Sequence, residues 1–168
     1  SFDKACMSRL FTLKAALLVV ASTFLLNTAY AEKWSSLDVI KSAPSGLWVK
    51  TKNIINGQPV TDSNPEVMCA DQKQIKKALD GFLMVNRNGK EAELCPNTII
   101  KTNTLSQGIA VLQCPAVEFL GKKIPADDII LDINRISANT WTMALSGKDK
   151  KVKIKVTLQH KADACGAS

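Results

Sequence analysis

The sequence predicts a mainly β domain, an antiparallel meander with an open or barrel-like sheet, one amphipathic helix and two disulfides. Through the second half of the chain, short segments alternate apolar and polar residues, as half-buried strands require. Only residues 71–83 show helical periodicity over a useful length. The chain has five cysteines, and all except Cys6 lie beyond residue 31, an even set that suits two disulfides.

The amino-terminal residues have the layout of a cleavable secretory signal. Arg9 and Lys14 precede an apolar segment at residues 15–26, and an Ala-x-Ala cleavage pattern ends at Ala31. The apolar segment is shorter than the roughly 20 residues that a transmembrane helix needs. We therefore expect export, cleavage after Ala31 and no transmembrane segment in the mature form.

Removal of the signal defines the mature protein. Met7 is the predicted start, so residues 1–6 are an upstream extension, and residues 32–168 form a single exported β-rich domain. A domain of this length buries about two thirds of its unfolded surface. The net charge of the whole chain is +7, and it falls when the signal is removed, so charge gives no support for nucleic-acid binding. We expect the domain in the periplasm.

The first half of this domain contains few clear elements. Residues 32–43 are a polar lead-in with a short helix at most. Residues 47–55 alternate aliphatic and polar side chains, which predicts a strand. The Asn-Gly pair at residues 56–57 favours a hairpin turn, because both residues tolerate positive φ. Residues 62–65 have the composition of a loop.

The helix predicted at residues 71–83 has one apolar stripe and a recognisable start. The stripe consists of Ile75, Ala78, Leu79, Phe82 and Leu83. Asp71 and Gln74 have the spacing of a capping box, in which each side chain accepts a backbone N–H of the other residue. The lysines of this helix are expected on its solvated side.

Beyond residue 89 the chain is a succession of short strands separated by turn residues. The predicted strands are residues 92–95, 98–104, 108–114, 128–136, 140–146 and 151–161. Short connections favour antiparallel pairing between neighbours.

The four cysteines of the mature chain are expected to form disulfides, because an exported chain meets an oxidising compartment. Three pairings are possible. If the hairpin turns near residues 105–107, Cys95 lies opposite Cys114 or its neighbours, within disulfide reach. Cys69 and Cys165 then form the second pair. The absence of a Cys-x-x-Cys pair excludes the common zinc spacing and the thioredoxin-like motif.

The order of these features resembles the small exported bacterial proteins grouped as domain of unknown function thirty-six seventeen. The matching residues are Gly46-Leu47-Trp48, Cys69 ahead of the helix, Cys95 with Cys114, and the closing Cys165. The resemblance extends over nearly all of the mature chain. It implies an envelope location and a mostly antiparallel domain, and it implies no activity.

Two features are candidates for a binding site. Trp48 shares a strand face with Lys50 and Lys52, and we expect it to cap an open end of the sheet or to line a cavity. The last strand has one aliphatic face and one basic face. The aliphatic face carries Val152, Ile154, Val156 and Leu158, and the basic face carries Lys151, Lys153 and Lys155. The lysines favour solvation and protection of a strand edge, with contact to an anionic surface as the alternative.

Candidate catalytic residues are few. His160 is the only histidine, and we expect it on the strand surface. Asp127, Asp128 and Asp132 cluster near the start of one strand. The simplest interpretation is that they are solvated there; the alternative is that two of them act as paired carboxylates in glycoside hydrolysis. The sequence indicates no catalytic, cofactor or metal site.

These observations predict a non-catalytic, envelope-associated domain that binds a small apolar ligand or a protein partner. One alternative is a hydrolase of envelope polymer that uses an aspartate pair. The other is electrostatic adhesion to anionic envelope surfaces through Lys151, Lys153 and Lys155. The ligand and the oligomeric state stay open at this stage.

Overall fold

The computed structural model describes residues 33–81, 83–87, 89–119 and 121–166. The predicted upstream extension, signal and cleavage site at residues 1–31 lie outside the described residues. The helical elements are a 3₁₀ turn at Trp34–Ser36, α1 at Asp38–Lys41 and α2 at Gln72–Gly81.

The described residues otherwise form mainly strands, which confirms the predicted fold class. The strands are β1 (Gly46–Ile55), β2 (Gln58–Pro59), β3 (Glu66–Ala70), β4 (Met84–Arg87), β5 (Lys90–Glu93), β6 (Asn97–Asn103), β7 (Gln107–Cys114), β8 (Val117–Phe119), β9 (Lys122–Ile124), β10 (Asp127–Ser137), β11 (Thr140–Ser146) and β12 (Val152–Ala162).

One eight-stranded sheet organises the domain, in the order β2-β1-β12-β11-β10-β7-β6, and β3 pairs with β1 as well. Every pair in it is antiparallel. The hairpins β6–β7, β10–β11 and β11–β12 join neighbours, as the short turns predict. Three pairings are not between sequence neighbours: β1 with β3, because β2 lies between them in sequence, β7 with β10, because the β8–β9 hairpin lies between them, and β1 with β12.

The segment before β1 packs onto one face of the sheet, so the interpretation as a polar lead-in is wrong. Leu37 and Val39 are fully buried. A Cβ on Gly108 of β7 would lie 2.8 Å from Leu37 Cδ1 and 3.0 Å from Val39 Cγ1, so a larger residue there requires these two buried side chains to shift. The indole Nε1 of Trp141 donates a hydrogen bond of 3.3 Å to the Val39 carbonyl oxygen. The apolar half of this segment thus completes the core.

Helix α2 begins as the sequence predicts. The Asp71 carboxylate accepts the Gln74 N–H at 2.7 Å, and the Gln74 side chain accepts the Asp71 N–H at 2.9 Å. This reciprocal arrangement confirms the capping box. The helix ends at Gly81, two residues earlier than predicted, and Phe82 of the predicted stripe lies outside the described residues.

Both predicted disulfides are confirmed. Cys95 and Cys114 bridge the open end of the β6–β7 hairpin, with their Cα atoms 4.0 Å apart. Cys69 of β3 bonds Cys165, which follows β12, across a Cα separation of 5.7 Å. The second bridge ties the strand before α2 to the carboxyl-terminal end of the described chain.

Candidate functional site: an open apolar cavity

A cavity of about 520 Å³ lies between the covered face of the sheet and helix α2. We call it the apolar cavity. Its sheet wall comes from β1, β3, β10, β11 and β12, and another wall comes from Ile75, Ala78 and Leu79 of α2. Pockets that bind small molecules typically measure about 300–1,000 Å³. The apolar cavity is therefore large enough for a ligand of ordinary size.

Strand register explains why these side chains converge. Trp141 and Met143 of β11 pair with Leu158 and Val156 of β12. Across the other edge of β12, the same two residues pair with Lys50 and Lys52 of β1. Directly opposed residues of an antiparallel pair project to the same side. The alternating residues of β1, β11 and β12 therefore form one continuous wall.

Helix α2 faces the cavity with its apolar stripe. Ile75 and Leu79 are half-buried, Ala78 is exposed, and the helix has no fully buried side chain among its described residues. On the sheet side, Ile40 and Ala43 of the segment before β1 close part of the boundary. The helical periodicity thus identifies a stripe that packs against the edge of the core and also borders the cavity.

Two tethers hold α2 in place. The Cys69–Cys165 bridge lies just before the helix. Near its carboxyl end, the Ser35 hydroxyl donates a hydrogen bond to the Asp80 carboxylate, and Lys76 Nζ lies 2.9 Å from the other carboxylate oxygen. Burial raises the pKa of Asp80, but the hydrogen bonds from Ser35 and Lys76 outweigh that effect and lower the pKa below its ordinary value.

Trp48 and Trp141 line the apolar cavity and belong to an aromatic cluster that also includes His160. The structure places Trp48 in the wall with 4% of its surface exposed, and its Nε1 donates to the Pro44 carbonyl oxygen at 3.1 Å. The Trp48 ring meets those of Trp141 and His160 edge-on, each at a centroid distance of 5.2 Å. His160 is half-buried as a residue, and its side chain is only 7% exposed, so it is less accessible than the predicted surface position implies.

Three charged residues line the apolar cavity: Lys50, Lys52 and Glu66. Lys50 and Glu66 are directly opposed across β1 and β3 and form an ion pair. Within the described part of the chain, no carboxylate lies within 4 Å of Lys52 Nζ. The lining therefore presents one cation without a contacting counter-ion.

The other lysines singled out from the sequence lie elsewhere. Lys153 and Lys155 project from the face of β12 opposite Ile154 and Val156, and Lys151 precedes the strand. Lys153 Nζ lies 3.6 Å from an Asp149 carboxylate oxygen. A hydrogen bond from the Lys151 N–H holds the pKa of Asp149 below its usual value. Contact of these lysines with an anionic surface stays a prediction.

Along β10, the positions of Asp127, Asp128 and Asp132 do not suit a catalytic carboxylate pair. Asp128 and Asp132 are four residues apart on one strand face, roughly 13 Å at the usual rise per residue, whereas glycosidase carboxyl groups lie about 5–9.5 Å apart. Asp127 projects from the opposite face. Asp132 instead accepts hydrogen bonds from Asn134 at 2.7 Å and Gln107 at 3.3 Å. No cluster of potential metal ligands occurs among the described residues.

Comparison with known proteins adds no relative. The chain matches no protein-family model, no curated protein and no solved structure. The resemblance to domain of unknown function thirty-six seventeen therefore rests on the order of its motifs alone. None of the described helices has the length and apolar character needed to span a membrane.

Proposed function

We propose that this protein is a non-catalytic binding protein of the cell envelope that holds a small, largely apolar ligand in the apolar cavity. The observation that carries the proposal is the lining itself, in which aliphatic and aromatic side chains surround about 520 Å³. Apolar surface in contact with water is unfavourable, at roughly 25 cal/mol per Å². A ligand with an apolar body covers that surface and is stabilised by doing so.

The polar groups of the lining suit binding better than catalysis. Catalysis requires a nucleophile or base whose partner holds it in position. The ionisable side chains of the described lining are Lys50, Lys52 and Glu66, and two of these form an ion pair with each other. Polar groups of this kind fix the orientation of a ligand in an otherwise apolar pocket.

Export to the envelope is the second part of the proposal. Its support is the signal-like layout of residues 1–31 together with two disulfides, which are compatible with an oxidising compartment. Alkylation followed by intact-mass analysis of protein from its natural host tests this directly. We expect a mature chain that begins at residue 32 and has no reactive thiol. Four labelled thiols on a full-length chain contradict it.

A blocking variant tests the binding site. Ala78 lines the apolar cavity from α2 and is exposed, so Ala78→Trp adds volume inside the cavity with little disturbance of packing. The neighbouring Lys77 is exposed and is not part of the lining, which makes Lys77→Trp the matched control. The measurement is titration with an environment-sensitive apolar fluorophore, with circular dichroism to check folding.

We expect Ala78→Trp to weaken fluorophore binding at least about tenfold, because the indole takes up space that the ligand needs. Lys77→Trp keeps the affinity of the unmodified protein. Equal affinity in both variants contradicts binding in the apolar cavity. Absence of fluorophore binding by the unmodified protein contradicts the proposed function as a whole.

A further inference from the structure

The charged residues of the apolar cavity lie on one wall. Lys50 and Lys52 belong to β1, and Glu66 belongs to β3, which pairs with β1. The walls formed by β10, β11, β12 and α2 contribute only apolar side chains to the lining. A ligand that complements both regions needs a polar group at the β1–β3 wall and an apolar body across the rest.

The charges on the β1–β3 wall indicate which charge the polar group of the ligand carries. Lys50 and Glu66 neutralise each other as an ion pair. Asp62 lies near Lys52, but its two carboxylate oxygens accept the backbone N–H groups of Lys52 at 2.8 Å and Asn64 at 3.1 Å. These two hydrogen bonds lower the pKa of Asp62, and the charges of Lys52 and Lys50 lower it further, but the Asp62 carboxylate is not within 4 Å of the Lys52 ammonium. The Lys52 ammonium can therefore donate hydrogen bonds to a ligand, and an anionic group is the strongest acceptor for them.

The shape of the lining indicates a flexible aliphatic body. The aliphatic part of the lining includes Ile154, Val156 and Leu158 of β12, Met143 of β11, and Ile75 and Leu79 of α2. Methionine adapts its shape to irregular contacts. At the rim, Ile55 and Ile154 are 39% and 37% exposed. An alkyl chain adapts to such walls and covers the rim where it leaves the cavity.

Resting on the proposed function, we infer that the ligand is an anionic amphiphile of the fatty-acid type. It carries one negatively charged head group on an unbranched aliphatic chain. The head group accepts hydrogen bonds from Lys52, and the chain lies between the β11–β12 wall and α2. The aromatic cluster of Trp48 and Trp141 borders the bound chain, so its fluorescence reports binding.

The test compares two ligands that share a chain and differ in the head group. Dodecanoate and dodecanol are titrated below their aggregation concentrations into the full mature protein, and binding is followed by tryptophan fluorescence and calorimetry. Lys52→Met removes the charge and keeps most of the side-chain length. Lys101→Met is the control, because Lys101 is an exposed lysine of β6 outside the lining.

We expect the unmodified protein to bind dodecanoate about tenfold more tightly than dodecanol, as the loss of one charge-assisted hydrogen bond implies. Lys52→Met reduces the affinity for dodecanoate to that for dodecanol, whereas Lys101→Met changes neither. Equal affinities for the two ligands in the unmodified protein overturn the inferred head group and leave the proposed function standing. A dodecanoate preference that survives in Lys52→Met overturns the role of Lys52. Binding of neither ligand overturns the inference, and the fluorophore titration then decides the proposed function separately.

Discussion

The aromatic cluster of the apolar cavity depends on a single glycine. Gly46 enters β1 with φ of +140°, and a Cβ at this position would lie 2.0 Å from the Ala162 carbonyl oxygen and 2.7 Å from His160 Nε2. Close approach of the two strands there brings Trp48 against His160, its partner in the register. Alternation along β1 is enough to predict that Trp48 faces a cavity or a sheet end. It cannot predict that the His160 side chain is largely covered, because that depends on pairing with a distant strand.

Replacement of Gly46 tests how closely the start of β1 packs against β12. Gly46→Ala is expected to lower the free energy of unfolding by more than the roughly 1–3 kcal/mol of an unfavourable backbone conformation alone, because the methyl group also collides with backbone. Gly89→Ala is the matched control: φ is +77° there and no atom lies within 4 Å of the added Cβ. Chemical denaturation measures both, and equal losses contradict the close fit.

At the scale of elements, α2 is the part of the wall held by the fewest interactions. Its apolar side chains are half-buried or exposed, and its ends are fixed by the capping box, the neighbouring disulfide and the Ser35–Asp80 hydrogen bond. Periodicity and the Asp71–Gln74 spacing are enough to predict the helix and its first residue. They cannot show what the stripe faces, since a packed core and an open cavity require the same pattern.

The Asp80 tether makes the stability of the domain depend on pH. The pKa of Asp80 is lowered in the folded protein, so its contribution is fully present above the unfolded value of about 3.9 and is lost as the pH falls through the folded pKa. Thermal melts between about pH 2.5 and 6.5 should show the unmodified protein melting above Asp80→Asn near pH 6, with the difference shrinking below about pH 4. A difference that is constant over this range contradicts the assignment.

For the whole molecule, the two disulfides close loops of very different length. Cys69 and Cys165 are 96 residues apart in sequence, and Cys95 and Cys114 are 19 apart. Restriction of the unfolded chain contributes about 4.7 kcal/mol for a loop near 100 residues and about 3 kcal/mol for one near 15. Replacing both cysteines of the long loop by alanine should therefore cost more stability in chemical denaturation than the same change in the short loop. The reverse order contradicts the loop-entropy explanation.

Prediction from sequence succeeds here where a feature is local. The β6–β7 and β11–β12 hairpins and the capping box follow from residues close together in the chain. The burial of Leu37 and Val39 does not follow from residues close together in the chain. Their segment is polar on average, and only contact with the sheet distinguishes its apolar side chains from its polar ones. The sequence likewise cannot predict which residues join Trp48 in lining the apolar cavity, because its β1 and β12 walls meet only through the pairing of these distant strands.

The cysteine pairing is nested, with one bridge enclosed by the other in sequence. A chain that emerges amino end first presents Cys69 and Cys95 to an oxidant before either native partner has appeared. On a chain that is oxidised as it emerges, the first bond within reach is therefore Cys69–Cys95, which is not native, and once formed it gives the native pairs only by thiol exchange with Cys114 and Cys165. If the chain is oxidised during export, we therefore expect cells that lack a disulfide isomerase to accumulate it with scrambled bridges.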